Sequence, residues 1–242
     1  TTSAAEQAAT STEDDYSTNE YVYALYAMGS VTVNKLTLIG GVRWEKTDAT
    51  IRAVEARTFA GAFVGYFPAS GTHNYSAYCP NLQGVYRLSD RTRLRGAITK
   101  TIGRPAYEDT RPFANFQYQA LGGAALNPAF GYTGSLNVGN PDLKPYSAVN
   151  YDVSFEWYPK RTSGILSVAA FRKDIENPIY GYTQIQEYVT YNGLGMQSLN
   201  LTSKLNANSG RISGLELNVY QPFKFLPSPF DGFGIDANLT FI

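Results

Sequence analysis

The sequence predicts an all-β protein: an antiparallel transmembrane β-barrel of about eight long strands, with short periplasmic turns and long extracellular loops. Three observations carry this. The chain of 242 residues contains 19 Tyr, 13 Phe and 22 Gly, a mixture that suits strands and turns better than helices. Alternation with a period of two recurs along it, most cleanly where Val149, Tyr151, Val153, Phe155 and Trp157 interleave with Asn150, Asp152, Ser154 and Glu156. The connections between such runs alternate short and long, which places all the long ones at one end.

The elements follow in order. Residues 1–19, TTSAAEQAATSTEDDYSTN, are small, polar and acidic and read as a loop or disordered end. Tyr21 to Val33 and Leu36 to Glu45 form a hairpin around Asn34-Lys35. A connection from Ala53 to Asn74 leads to a strand at Asn81 to Leu88, which turns at Ser89 to Thr92 into Arg93 to Ile102. After a long excursion, Tyr107 to Pro145, come the strand Val149 to Trp157, a turn at Pro159 to Gly164, and a strand from Ile165 to Arg172. A second long segment, Lys173 to Asn208, precedes a last hairpin of Ile212 to Tyr220 with Gly234 to Ile242. No helix is evident.

A soluble β-sandwich with one packed and one solvated face shares the alternation. It gives no reason for loops gathered at one end, and its strands usually run about 5 to 6 residues, against about 9 to 11 or more for a barrel in a bilayer. Within lipid a sheet must close on itself to satisfy its backbone, with apolar side chains outward. Trp44, Trp157 and Tyr158, near strand ends, suit an interfacial aromatic girdle.

Charge and composition exclude other classes. Twenty basic and twenty acidic residues cancel, leaving no electrostatic footprint for nucleic acid. Cys79 and His73 are each the sole residue of their type, so neither an internal disulfide nor a thiolate metal cluster is available. His73 lies in SGTHNYS without a partner motif, and GGVRWE falls within a strand rather than forming a phosphate loop. No catalytic residue, cofactor or metal site is expected, and the protein is not expected to be an enzyme.

The motifs NPDLKP at Asn140 to Pro145 and NYDVSFEWYP at Asn150 to Pro159 resemble the segment entering a barrel strand in TonB-dependent outer-membrane receptors. LIGGVRWEKT at Leu38 to Thr47, LRGAITKTIGRPAY at Leu94 to Tyr107, FRKDIENPIY at Phe171 to Tyr180 and SGLELNVYQ at Ser213 to Gln221 fit the same family in order. The resemblance implies a location in the outer membrane of a Gram-negative bacterium and import of a scarce ligand, such as a ferric siderophore, vitamin B12 or a carbohydrate. It also implies an N-terminal plug and energy from the TonB complex. Neither plug nor TonB box is recognisable, so residues 1–242 are expected to be an interior part of the barrel domain. Expected partners are outer-membrane lipid, the small ligand and, through the plug region, TonB. A passive channel or adhesin-type barrel, and a soluble β-rich binding module, are the alternatives.

Ligand contact is expected in two segments. In Arg111 to Pro145, the aromatic faces of Phe113, Phe116, Tyr118, Phe130 and Tyr132, with Asn115 beside them, could stack on a sugar ring or a catecholate and bond its hydroxyls. In Ile175 to Gly193, Tyr180 and Tyr182 could do the same, unless they belong to a strand rising above the membrane. Arg43, Arg93 and Arg95 are expected on the lumen face, attracting an anionic ligand or pairing with acidic neighbours across strands.

Overall fold

The computed structural model describes residues 15–122, 127, 129–160 and 164–242. A wall is built from β1 (Ser17–Val33), β2 (Leu36–Phe59), β3 (Ala62–Ser89), β4 (Thr92–Gly103), β7 (Tyr146–Trp157), β8 (Ile165–Glu176), β11 (Ser209–Pro222) and β12 (Gly234–Phe241). The long connections add β5 (Ala114–Ala120), β6 (Tyr132–Val138), β9 (Ile179–Tyr191) and β10 (Leu194–Asn206). The helical structure among the described residues is a short α1 (Tyr107–Thr110) and a 3-10 turn at Phe230–Gly232.

Two expectations need correction. The sheet has 12 strands rather than about eight, because the segments read as loops pair as well. It is also mixed rather than purely antiparallel. The eight wall strands run antiparallel in the order β1-β2-β3-β4-β7-β8-β11-β12, whereas β5 lies parallel to β2 and β6 parallel to β10. The reason is geometric: β1 occupies one edge of β2 as far as Arg52, and β5 takes the same edge from Glu55 to Phe59.

The connection expected at 53 to 74 is a third difference. β2 and β3 are 24 and 28 residues long and stay paired up to a tight turn at Ala60-Gly61, where φ is 47° and 83°. Such positive φ values twist a two-residue turn to match its strands. The glycines and Pro68 that look like loop punctuation are accommodated within a hairpin that projects beyond the wall.

Register turns the period-two pattern into two faces. Val33, Leu36, Tyr86, Leu94, Phe155, Val168, Leu217 and Leu239 stand opposite one another in turn across all eight wall strands. The neighbouring row runs Val31, Leu38, Gly84, Gly96, Val153, Ala170, Leu215 and Phe241. This apolar face is the exposed one: Val153 is 48% accessible, while Asn150 on the opposite face is 9%. A protein packed for water has the reverse arrangement.

Toward the long-connection end the apolar face becomes charged. Lys46 pairs with Asp48 at 2.9 Å, and Asp174 receives Arg172 at 2.9 Å and Arg211 at 2.7 Å. On the polar face, Arg43 and Arg104 both bond Glu45 at 2.5 Å, and Arg95 bonds Glu156 at 2.7 Å. Arg93 lies over the Tyr158 ring at 4.9 Å. The arginines expected there therefore have carboxylate or aromatic partners.

Candidate functional site: a polar cavity among the long connections

The long connections fold back over the polar face and are fastened there. The NPDLKP segment is one fastening. The Asn140 side chain accepts from the Asp142 amide at 3.0 Å, closing a local turn, and donates to the Lys204 carbonyl at 3.0 Å. Asn206 reciprocates, accepting from the Lys144 amide at 2.8 Å and donating to the Lys144 carbonyl at 2.9 Å. Pro141 sits over Gly71, where a Cβ would come within 2.5 Å of it, and its carbonyl meets His73 Nδ1 at 3.0 Å. Leu143 is buried beneath. The motif thus ties the end of β10 to β3.

Glu55 is the second fastening. It accepts hydrogen bonds from the Tyr191 hydroxyl at 2.8 Å and Asn192 Nδ2 at 2.7 Å, and it pairs with Arg57, whose guanidinium lies 3.8 Å from the centre of the Phe67 ring. The tip of the β9-β10 hairpin is thereby held against the extension of β2. Burial, and next the bond to Glu55, push the Tyr191 hydroxyl above its ordinary pKa.

Between these fastenings the two added hairpins share a small core of Ala114, Phe116, Leu136, Met196 and Leu199. Phe116 is fully buried, stacked on Tyr118 at 4.7 Å and edge-on to Tyr191 at 4.8 Å. Tyr118 and Tyr132 pack against the same core, their rings 6.1 Å apart. Phe130 meets Tyr188 at 5.6 Å. Of the expected contact residues, these four are engaged in holding the hairpins together. Asn115 is half-buried on β5, and Tyr180 is exposed on β9.

Phe113 and Tyr182 are brought together. They line a cavity of about 550 Å³ between the start of β5, the end of β6, and β9 and β10. Glu108, Asp109 and Arg111 stand on one side, Thr183, Thr202 and Lys204 on the other. Lys204 Nζ lies 3.6 Å from the Asp109 carboxylate, and the Arg111 guanidinium lies 5.0 Å from the centre of the Phe113 ring. Gly139 forms part of the floor, where a Cβ would fall 2.1 Å from the Arg111 carbonyl. Two cations, two carboxylates, threonine hydroxyls and the Phe113 ring converge, a set suited to a polar ligand carrying hydroxyls or anionic groups, while Tyr182, paired with Ser203, borders the cavity from a strand position whose side chain alternates away from Thr183 and Lys204.

The charged and hydroxyl residues of this cavity were not legible in sequence. Asp109 and Lys204 are 95 positions apart and meet only once the fold brings α1 against the end of β10. The one local signal was the polar alternation of Thr202 and Lys204 against Leu201 and Leu205 on β10.

Comparison with known proteins places these features in context. Residues 1–242 match the family model described as TonB dependent receptor-like, beta-barrel. No curated protein sequence matches. Among solved structures, the Serratia marcescens hemophore receptor HasR aligns with a TM-score of 0.57 and 16% identity over 84% of this chain and 32% of its own. The Escherichia coli ferric-catecholate import receptor Fiu gives 0.55 and 15% over 86% and 26%. The Pseudomonas aeruginosa ferric enterobactin receptor PfeA gives 0.53 and 15% over 93% and 35%. At such identities the likeness is one of fold, and the chain spans about a third of the length of those structures or less. The chain belongs to the TonB-dependent receptor β-barrel family.

Proposed function

We propose that this chain forms part of the wall and loop layer of an outer-membrane receptor that captures a small polar ligand of the ferric-siderophore class and admits it with TonB-coupled energy. The observation that carries the membrane assignment is the exposed apolar face running across eight strands and ending in ion pairs. From Leu36 to Lys46 along β2 is about 34 Å at ~3.4 Å per residue. Tilted by about 40 to 45°, that distance gives a band about 25 Å tall, the height of the apolar belt of outer-membrane barrels.

The cavity lined by Arg111, Phe113, Tyr182 and Lys204 then opens among the extracellular connections, where a ligand would arrive. Arg111 and Lys204 would meet the anionic oxygens of a chelate, while Phe113 offers a face to its rings. A carbohydrate would use the same threonines and aromatic ring without needing the cations. That difference makes the two ligand classes separable.

The test is uptake of a radiolabelled ferric catecholate, haem and an oligosaccharide by cells with and without the gene, each in a tonB-positive and a tonB-deleted background. The reading requires gene-dependent uptake of one iron compound that disappears without TonB, and a large loss of binding in Lys204→Ala. Uptake that persists without TonB would make the protein a passive channel. Uptake of the oligosaccharide alone would refute the siderophore assignment.

A further inference from the structure

A second cavity, of about 190 Å³, lies on the polar face beneath α1, apart from the cavity described above. Its walls are mainly apolar, supplied by Ala49, Ile51, Pro105 and Ala106. Two side chains that line it hold buried polar atoms without a hydrogen-bond partner, Thr18 Oγ1 and His73 Nε2, and the buried Tyr75 hydroxyl stands beside the Arg104 guanidinium, from which it can accept while keeping its own proton to donate. Buried polar atoms are nearly always satisfied, so two unpartnered ones around one hollow, with a third free to donate, point to an occupant. An apolar hollow with a few converging hydrogen-bonding groups is the general form of a small-molecule site.

The chemistry of the occupant follows from His73, which is 9% exposed and 4.9 Å, edge-on, from the Tyr75 ring. Its Nδ1 lies 3.0 Å from the Pro141 carbonyl, which can only accept a hydrogen bond. Nδ1 therefore carries the proton, and in the neutral ring Nε2 presents a lone pair. The matching group must donate. The Thr18 and Tyr75 hydroxyls can each donate in return to the oxygen that does so. The hollow has room for about six waters at ~30 Å³ each, or for one substituted aromatic ring. Tyr107 and Glu20 also line it, the Tyr107 hydroxyl donating to the Glu20 carboxylate at 2.6 Å.

We propose that this hollow binds a phenol-type group, one aromatic ring bearing a hydroxyl that donates to His73 Nε2 and accepts from Tyr75 or Thr18. The ring fills the space between Ile51, Ala49 and Pro105. Because His73 also holds Pro141 of the NPDLKP turn, an occupant here stiffens the fastening between β3 and the end of β10.

Fluorine NMR of the intact purified protein with 4-fluorophenol and 4-fluoroanisole tests this, since the ether keeps the ring and loses the donated proton. Saturable binding of the phenol at least about tenfold tighter than the ether is expected, the worth of one buried hydrogen bond. In His73→Phe the preference should fall below about twofold. Tyr75→Phe, which removes one oxygen and leaves the ring against His73, should weaken the phenol severalfold and guards against a misfolded histidine variant. Equal binding of phenol and ether, or a preference that survives both substitutions, would overturn the proposal. So would the lack of saturable phenol binding, which would mean that water or another side chain fills the hollow.

Discussion

Replacing Tyr191 by Phe removes one oxygen from the Glu55 fastening and leaves the ring in place against Phe116. The lost bond is 2.8 Å long, neutral to charged, and made to a carboxylate that is 9% exposed. Bonds of that kind are worth about 1.5 to 3 kcal/mol. Glu55 keeps Asn192 and Arg57, so the lower end applies, about 1.5 kcal/mol, or roughly a tenfold change in the opening equilibrium of the β9-β10 hairpin. Hydrogen exchange of the intact protein should show amides in β9 and β10 exchanging about tenfold faster, while those in β4 and β7 keep their rates. Unchanged exchange in the hairpin would refute the fastening. A uniform acceleration across the wall would refute the idea that the hairpins open as a separate unit.

Other outcomes follow from the same geometry. The Tyr191 hydroxyl has its pKa raised by burial, so the stability linked to it is complete below about pH 10, where a free tyrosine ionises, and is lost as pH climbs beyond that. Hairpin protection, taken relative to the base-catalysed rise of amide exchange itself, should fall above about pH 10 in the natural protein, and Tyr191→Phe should lack that step. Phe116→Ala should destabilise the loop layer by about 3 to 5 kcal/mol, measured by local exchange or protease sensitivity, whereas Tyr180→Ala at an exposed position should cost under about 0.5 kcal/mol. Gly139→Ala drives a Cβ into the Arg111 carbonyl and should cost about 1 to 3 kcal/mol, read as lost protection around residues 137 to 145.

What was legible in the sequence was whatever depends on neighbours in the chain. β7 could be read because its alternation is local and its register with β4 and β8 keeps the same parity. The upper parts of β2 and β3 could not, because Gly65, Pro68 and Gly71 resemble loop residues until their cross-strand partners are known. The parallel pairings of β5 and β6 required contacts between distant segments and left no trace in periodicity. The site divided in the same way. The rule that aromatic residues in long connections meet ligand selected Phe113 and Tyr182, which border the polar cavity, and equally Phe116, whose ring is spent on packing. Lys204 and Asp109 were hidden because a charge reveals its role only through a partner brought by the fold.

The central claim is that the exposed face containing Val153 and Phe155 meets lipid, while Ser154 and Glu156 face an aqueous interior. The most direct measurement places single bimane-labelled cysteines at Val153, Ser154 and Phe155 in a Cys79→Ser background, in bilayers containing nitroxide-labelled lipid. The account predicts strong lipid quenching at Val153 and Phe155 and weak quenching at Ser154, with an aqueous quencher giving the reverse. Quenching by lipid at Ser154, or equal quenching at all three positions, would contradict it.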